Sequence, residues 1–353
     1  MSVKWQGVIE KFRPHLPLGS DVKAVTLLEG DTPLLPAPRL AQAVGLSGDL
    51  YLKVEGANPT GSFKDRGMTV AISQAAAEGS RAIICASTGN TSASAAAYAA
   101  RAGMEAYVLI PKGKIALGKL SQALLHGARI VAIEGNFDQA LEMVSAIAQQ
   151  HALTIVNSIN PYRLHGQKTA AFEICDTLGR APDYHFLPVG NAGNITAYWM
   201  GYCLYHEAGI TSGTPRMMGF QASGAAPLVQ GRPVRNPETL ATAIRIGNPA
   251  SWNGAEAARD ESGGMIGCVT DEEILAAQRL LATSEGVFAE PASAAAVAGL
   301  RKVCGTDQIP VPSVIVCTLT GHGLKDPSAI TDMCPEPVSA PANIDAVRKV
   351  LKL

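Results

Sequence analysis

Asn58-Pro59-Thr60-Gly61-Ser62-Phe63-Lys64-Asp65-Arg66-Gly67 is the stretch that decides how this chain is read. It follows the run Leu50-Tyr51-Leu52-Lys53-Val54, expected as a strand, and it opens a helical run from Met68 to Ala77. Pro59 and Gly61 mark a turn just before Lys64. A lysine just inside a helix start meets the positive end of the helix dipole, which lowers its proton affinity and suits it to act as an amine nucleophile. A lone lysine is ordinarily a solvated surface residue, so the reading rests on the setting. Gly56 to Gly61 has the spacing of a Walker A loop, but Ser62 stands where the lysine should be, which excludes a P-loop.

Working outward, a chain of 353 residues suggests two domains. Hydrophobic residues make up 47% and charged residues 17%, enough for a large core and too apolar for disorder. Aromatics are only 5%, so Ala, Val, Ile and Leu must fill that core, as in α/β proteins with close helix–sheet contacts. A net charge of −1 without a basic stripe argues against nucleic acid and anionic membranes as partners. No apolar run reaches transmembrane length, and Met1 to Gln6 lack the apolar core of a secretory signal. The seven cysteines are scattered without a C-x-x-C pair, which points to reduced thiols and a cytoplasmic location. The seven histidines show no ligand spacing, so no metal is expected.

Residues 1–20 read as a short arm limited by Pro14 and Pro17. Strands are expected at 50–54, 81–86, 106–110, 129–133, 153–156, 184–189, 216–222 and 312–319, with an extended piece at Thr32-Pro33-Leu34-Leu35. Helices are expected at 39–44, 91–102, 118–126, 137–150, 167–178, 195–208, 271–284, 290–303 and 343–352. Residues 223–265 read as irregular, with short helices flanking a site. The alternation implies βαβ units with right-handed crossovers. One sheet should use the strands between about 81 and 156; the other should join N-terminal segments to the chain after about 157. Ligands then belong at the carboxyl ends of the strands.

The polar motifs sit at those ends. Ser87-Thr88-Gly89-Asn90-Thr91-Ser92 precedes a helix; one such residue would do for a cap, and this run offers a whole set of donors to an anion. Gly190-Asn191-Ala192-Gly193-Asn194 reads either as an ordinary strand-to-helix turn or as a backbone nest for a phosphate. Asn157-Ser158-Ile159-Asn160-Pro161-Tyr162-Arg163 reads as a surface loop or as a phosphate receptor built on a forked guanidinium, with Lys114 a weaker candidate nearby. Thr320-Gly321-His322-Gly323 ends the last strand; there Thr320 could be a simple cap, and His322 is expected in a packing or turn role. Cys85 is expected as a buried filler.

Ser62-Phe63-Lys64-Asp65-Arg66-Gly67 matches S-[FYH]-K-x-R-[GA], and from Thr32-Pro33-Leu34 to Gly323 the chain resembles the fold-type II pyridoxal 5'-phosphate enzymes, the tryptophan synthase β-like group. The resemblance implies an α/β fold of two three-layer α/β/α domains with mostly parallel sheets. Residues 57–156 would form the smaller, mobile domain, and 1–56 plus 157–353 the larger, cofactor-binding one. It implies that Lys64 carries the cofactor as a Schiff base and that Asn90 meets its phenolic oxygen. Gly190, Asn191, Ala192, Gly193 and Asn194 would hold its phosphate, Thr320 would face its pyridine nitrogen, and Ser87, Thr88 and Thr91 would surround the substrate carboxylate. Glu290-Pro291-Ala292-Ser293-Ala294 is similar to the group's E-P-A-[SG]-A helix start, and Glu290 is given no catalytic role.

Within the group, the G-N-A-G-N loop, the threonine at 320 and the N-S-x-N-x-x-R segment resemble the threonine synthases; dehydratases typically carry a S-G-G-G-L type loop. That implies O-phospho-L-homoserine as substrate, with Asn157, Ser158 and Arg163 on its phosphate, and a homodimer as the usual assembly. The rivals are a threonine or serine dehydratase, a β-replacement enzyme, and a cofactor-holding protein without turnover. The joint presence of Lys64 and Asn90 speaks against the last.

Overall fold

The computed structural model describes residues 4–112, 117–135, 137–304, 309–327 and 336–353. Two sheets organise the chain. The four-stranded sheet contains β3 (Ala82–Ala86), β4 (Glu105–Pro111), β5 (Arg129–Ile133) and β6 (Leu153–Ile155), in the order β5-β4-β3-β6. All its pairings are parallel. The six-stranded sheet contains β1 (Leu34–Pro36), β2 (Asp49–Val54), β7 (Tyr184–Pro188), β8 (Arg216–Ala222), β9 (Met265–Val269) and β10 (Val314–Leu319), in the order β1-β2-β10-β7-β8-β9. Only the β1–β2 pair is antiparallel.

Burial shows why these segments are strands. β3 and β7 are buried at every residue, as parallel strands covered on both faces must be. In β10, Ile315, Cys317 and Leu319 join one apolar cluster while Val316 joins another, so alternate side chains fill cores on opposite faces. β3 divides likewise, Ile83 and Cys85 to one side and Ile84 and Ala86 to the other. Small residues let helices lie close: Ala95, Ala96 and Ala99 are buried in the helix Asn90–Ala102, and Ala294, Ala295 and Ala296 in the helix Pro291–Cys304.

Three segments carry more regular structure than expected. Residues 8–15 are not an irregular arm: Val8–Phe12 is a helix whose Val8, Ile9 and Phe12 are buried, and Phe12 meets Phe172 at 5.3 Å between ring centroids. The helix expected at 167–178 is Thr169–Leu178, and a separate helix that was not expected, Pro161–Gln167, precedes it. Pro161 opens the first one, where its missing N–H costs nothing, and the Asn160 side chain caps it by accepting from the Tyr162 N–H at 3.0 Å. The region 223–265 holds a ten-residue helix, Trp252–Glu261, and leads into the edge strand β9, whose Gly267 and half-buried residues hid it from pattern reading.

Candidate active site

The loops that carry the polar motifs follow the carboxyl ends of parallel strands: 58–67 follows β2, 87–91 follows β3, 157–163 follows β6, 190–194 follows β7 and 320–323 follows β10. The Lys64 and Thr320 loops are strapped together. Ser62 bridges Gly321, the Phe63 N–H donates to the Thr320 carbonyl at 3.0 Å, and the His322 N–H donates to the Gly61 carbonyl at 2.9 Å. At Gly56 a Cβ would lie 2.8 Å from the His322 nitrogen, so the close approach requires glycine there.

Lys64 is the first residue of the helix Lys64–Ala77. Its proton affinity is pushed down to about 7, first by burial and then by the Arg163 guanidinium; Glu290 pulls the other way. Desolvation and a neighbouring cation thus add to the expected effect of the helix start. Lys64 also lies 4.3 Å from the centroid of the Phe63 ring. Beneath the loop, the Asp65 carboxylate accepts from the Thr60 N–H at 2.7 Å, the Thr60 hydroxyl at 2.6 Å and the Ser94 hydroxyl at 2.6 Å. Burial raises its pKa to about 6 against those bonds. Asp65 thereby joins the Lys64 turn to the helix Asn90–Ala102, a role that sequence reading missed.

Arg66 fixes the same helix start from below. It meets Glu55 at 2.7 Å and Glu173 at 2.6 Å, and Lys53 joins Glu173 at 2.7 Å. Burial alone would raise the Glu173 pKa, yet Arg66 and Lys53 hold it down to about 2.

Above Lys64 the polar groups are not so matched. Arg163 is buried and donates to the Val156 carbonyl at 3.1 Å, but its Nε and Nη2 have no partner. Both polar atoms of the buried Asn194 amide are also unpartnered. Such orphans are rare in a folded core and mark places where a polar ligand belongs. The loop around Asn194 is built for backbone approach. A Cβ at Gly190 would lie 2.9 Å from the Ile244 Cα, and Ala192 is held at φ 64°, a left-handed conformation costing roughly 1–2 kcal/mol in an L-residue. The flank expected between 223 and 265 does meet this loop: Asn191 accepts from the Ala250 N–H at 2.6 Å and donates to the Ser158 hydroxyl. Asn191 and Ser158 therefore stand together beside the 157–163 segment.

Other motif residues take different roles. Asn157 spends its amide on the Ala86 backbone, at 3.0 and 2.9 Å, and so fastens β6 to β3 instead of presenting a free amide. Ser87 accepts from the Gly89 N–H, and Thr88 and Thr91 are half-buried. Asn90 opens its helix and donates to the Glu290 carboxyl at 3.0 Å, and Thr320 donates to the same carboxyl at 3.2 Å. Asn90 and Thr320, far apart in sequence, are thus brought to the one carboxyl that heads the Glu290-Pro291-Ala292-Ser293-Ala294 motif. A cavity of about 420 Å³ opens beside them, with Gly61, Gly89, Asn90, Gln122, His322 and Lys325 in its wall. Lys325 crosses it to donate to the Thr60 carbonyl at 3.0 Å and to Gln122 of the helix Leu117–Leu125. His322 caps the turn Gly323–Lys325 and packs on Phe288, as a turn residue should. Cys85 is buried, its thiol pushed up to about 12 by that burial. Lys114 lies outside the described residues. Among the described residues, no cluster of three or more His, Cys, Asp or Glu could hold a metal ion, and no helix is long and apolar enough to cross a membrane.

An amine of lowered proton affinity facing an anion cradle, in two sheets of this topology, defines the class of pyridoxal phosphate enzymes of fold type II. The residues fit that cofactor: Lys64 offers the amine, and the glycine loop with the orphaned Asn194 amide offers a phosphate seat. Residues 25–321 match the family model described as pyridoxal-phosphate dependent enzyme. The chain is 61% identical over 324 residues to a threonine synthase of Synechocystis sp., covering 92% of this chain and 84% of the relative. It is 59% identical to a threonine synthase of Mycobacterium leprae, covering 99% of this chain and 96% of the relative. Among solved structures, maize serine racemase superposes with a TM-score of 0.76 at 19% identity, covering 93% of this chain and 97% of that one. A serine racemase from Dictyostelium discoideum gives 0.69 at 22%, covering 83% and 92%; at such identities the likeness speaks for the fold. The chain belongs to the pyridoxal-phosphate dependent enzymes and, within them, to the threonine synthase family.

Proposed function

We infer that the protein catalyses the threonine synthase reaction, a pyridoxal phosphate-dependent γ-elimination of phosphate from O-phospho-L-homoserine followed by addition of water at Cβ, giving L-threonine and phosphate. It is a carbon–oxygen lyase of threonine biosynthesis. Beyond family membership, the observation that carries this reading is Arg163: a buried guanidinium with two unpartnered nitrogens, close enough to Lys64 to lower its proton affinity. A dehydratase substrate brings no phosphate to neutralise such a group.

Pyridoxal phosphate, when bound, supplies the electron sink that stabilises negative charge developing on the substrate carbons. The chain's residues do the rest. Lys64 anchors the cofactor through Nζ. With a pKa of about 7 that amine is available at neutral pH to take the proton from Cα and to return it. Gly190, Asn191, Ala192, Gly193 and Asn194 seat the cofactor phosphate. Asn90 and Thr320 hold the ring at its oxygen and nitrogen. Ser87, Thr88 and Thr91 receive the substrate carboxylate. Arg163, Ser158 and Asn191 hold the substrate phosphate as it departs, and Asn157 positions that segment by its grip on Ala86. Residues 57–156 act as a mobile smaller domain over 1–56 and 157–353, and closure keeps stray water out until phosphate has left. The enzyme works as a cytoplasmic homodimer.

The test is phosphate release from O-phospho-L-homoserine with threonine measured in the same tube. Equimolar products, lost in Lys64→Ala together with the absorbance band of the lysine-bound cofactor, support the reading. Formation of 2-oxobutanoate from threonine without phosphate release would replace it with a dehydratase.

A further inference from the structure

Lys325 stands in the turn Gly323–Lys325 just after β10, so its backbone belongs with the six-stranded sheet. That mount is firm. The Lys325 N–H donates to the His322 carbonyl at 3.0 Å, and the next residue, Asp326, accepts from the Thr242 hydroxyl at 2.6 Å. The side chain reaches away from this sheet. Its Nζ donates to the Thr60 carbonyl at 3.0 Å and to Gln122 Oε1. Gln122 sits on the helix Leu117–Leu125, whose Leu120 and Ala123 pack with Ile83, Ala106 and Val108 of the four-stranded sheet. One ammonium therefore ties an element of each sheet across the cavity of about 420 Å³. An ammonium has no acceptor, so the direction of both bonds is set.

Thr60 is held from both sides. Its carbonyl accepts from Lys325, while its N–H and hydroxyl donate to Asp65 at 2.7 and 2.6 Å. Asp65 follows Lys64 directly and also accepts from Ser94, one turn beyond Asn90 in its helix. Gly61 makes room for the lysine stem: its φ of 83° turns the chain, and a Cβ there would lie 3.2 Å from Lys325 Cδ. Both acceptors of the ammonium are neutral. They hold a cation less tightly than a carboxylate would, so the tie can break and re-form. The helices Asn90–Ala102 and Leu117–Leu125 share one apolar cluster, so a shift of the second carries the first with it.

We propose that Lys325 is a positioning residue, a strap that holds the helix Leu117–Leu125 through Gln122 and the turn before Lys64 through Thr60. It thereby keeps the Ser87–Thr91 loop in register with Lys64. The inference rests on the reading that residues 57–156 close on O-phospho-L-homoserine. Gly89 and Asn90 of that loop share the cavity wall with Gln122 and Lys325. Loss of the Gln122 end leaves the Lys64 turn held, so it weakens substrate binding rather than turnover. Gln122→Glu works the other way: a carboxylate makes an ion pair with the ammonium and tightens the strap.

The experiment joins hydrogen exchange of the cofactor-loaded protein, without substrate, to steady-state kinetics on O-phospho-L-homoserine. It compares wild type, Lys325→Met, Gln122→Leu, the double variant and Gln122→Glu. In Gln122→Leu the amides of Leu117–Leu125 are expected to exchange about 3- to 10-fold faster, the scale of one lost hydrogen bond. Those of Trp252–Glu261 should stay as they are. KM should rise by a similar factor with kcat near wild type. Gln122→Glu should slow the exchange and lower KM and kcat together, because release then waits for opening. Adding Gln122→Leu to Lys325→Met should change nothing further, since the two residues are ends of one contact. Unchanged exchange of Leu117–Leu125 in Gln122→Leu, additive effects in the double variant, or a fall in kcat at constant KM would overturn the proposal. Gln122 is half-buried on its helix, so its variants decide the matter even where Lys325→Met does not fold. The exchange readout needs no turnover: a wild type that releases no phosphate would refute the threonine synthase reading by itself.

Discussion

Arg66 and Arg163 are both buried arginines, at 0% and 1% exposure, and they are treated in opposite ways. Arg66 meets two carboxylates in forked bonds, to Glu55 at 2.7 and 2.9 Å and to Glu173 at 2.6 Å on both terminal nitrogens. Arg163 has a backbone carbonyl and two idle nitrogens, and burial pushes its pKa down to about 10. Burying an unpaired charge costs several kcal/mol, so a chain tolerates it only where something else repays the cost. Thr32, Glu55 and Glu173 complete the first arginine within the fold. Nothing among the described residues completes the second, which fits the proposal that a substrate anion does so. The contrast separates charge that holds the Lys64 helix in place from charge held ready for chemistry.

The largest expected effect falls on Lys64 itself. Lys64→Ala should lower turnover on the order of 10⁴-fold or more, since under the proposed function it removes both the anchoring amine and the proton carrier. Circular dichroism should show the fold unchanged, because neither arginine loses a partner. Next comes the paired cluster. Arg66→Met leaves Glu55 without a cation and Glu173 with Lys53 alone, and should cost about 3–5 kcal/mol in urea unfolding. Arg163→Met should cost no stability, and should instead raise the KM for O-phospho-L-homoserine roughly 10- to 100-fold through loss of charged hydrogen bonds.

A further effect is on pH. Lys64 has a pKa of about 7 in the folded chain against 10.5 for an ordinary lysine. Between those values the unfolded chain binds a proton that the folded chain lacks, so stability of the cofactor-free protein should rise with pH across that window. Unfolding midpoints from pH 7 to 10 should show the gain in wild type and not in Lys64→Met.

Much of this was legible from residue types alone, because the motifs lie where parallel strands end and because apolar runs of Val, Ile and Ala fix the sheets. The positions that were missed share a physical reason. Val8–Phe12 and Pro161–Gln167 carry prolines at or just beyond their ends, and proline reads as a breaker until its capping context is seen. β9 is a half-buried edge strand without clean alternation. The helix start at Lys64 was legible, whereas the lowering of its proton affinity by burial and by Arg163, distant in the chain, was not. The partners of Glu290, which its motif had marked, and of Asp65 escaped for the same reason: a carboxylate's partners, here Asn90 with Thr320 and Thr60 with Ser94, are set by tertiary packing.

The most direct measurement of the contrast is urea unfolding of the cofactor-loaded protein with and without inorganic phosphate, for wild type, Arg66→Met and Arg163→Met side by side. If Arg163 is reserved for an anion, phosphate stabilises wild type and Arg66→Met but not Arg163→Met, and Arg163→Met is at least as stable as wild type without phosphate. If Arg163→Met is instead as destabilised as Arg66→Met and keeps its gain from phosphate, the two arginines do the same structural work and the account is wrong.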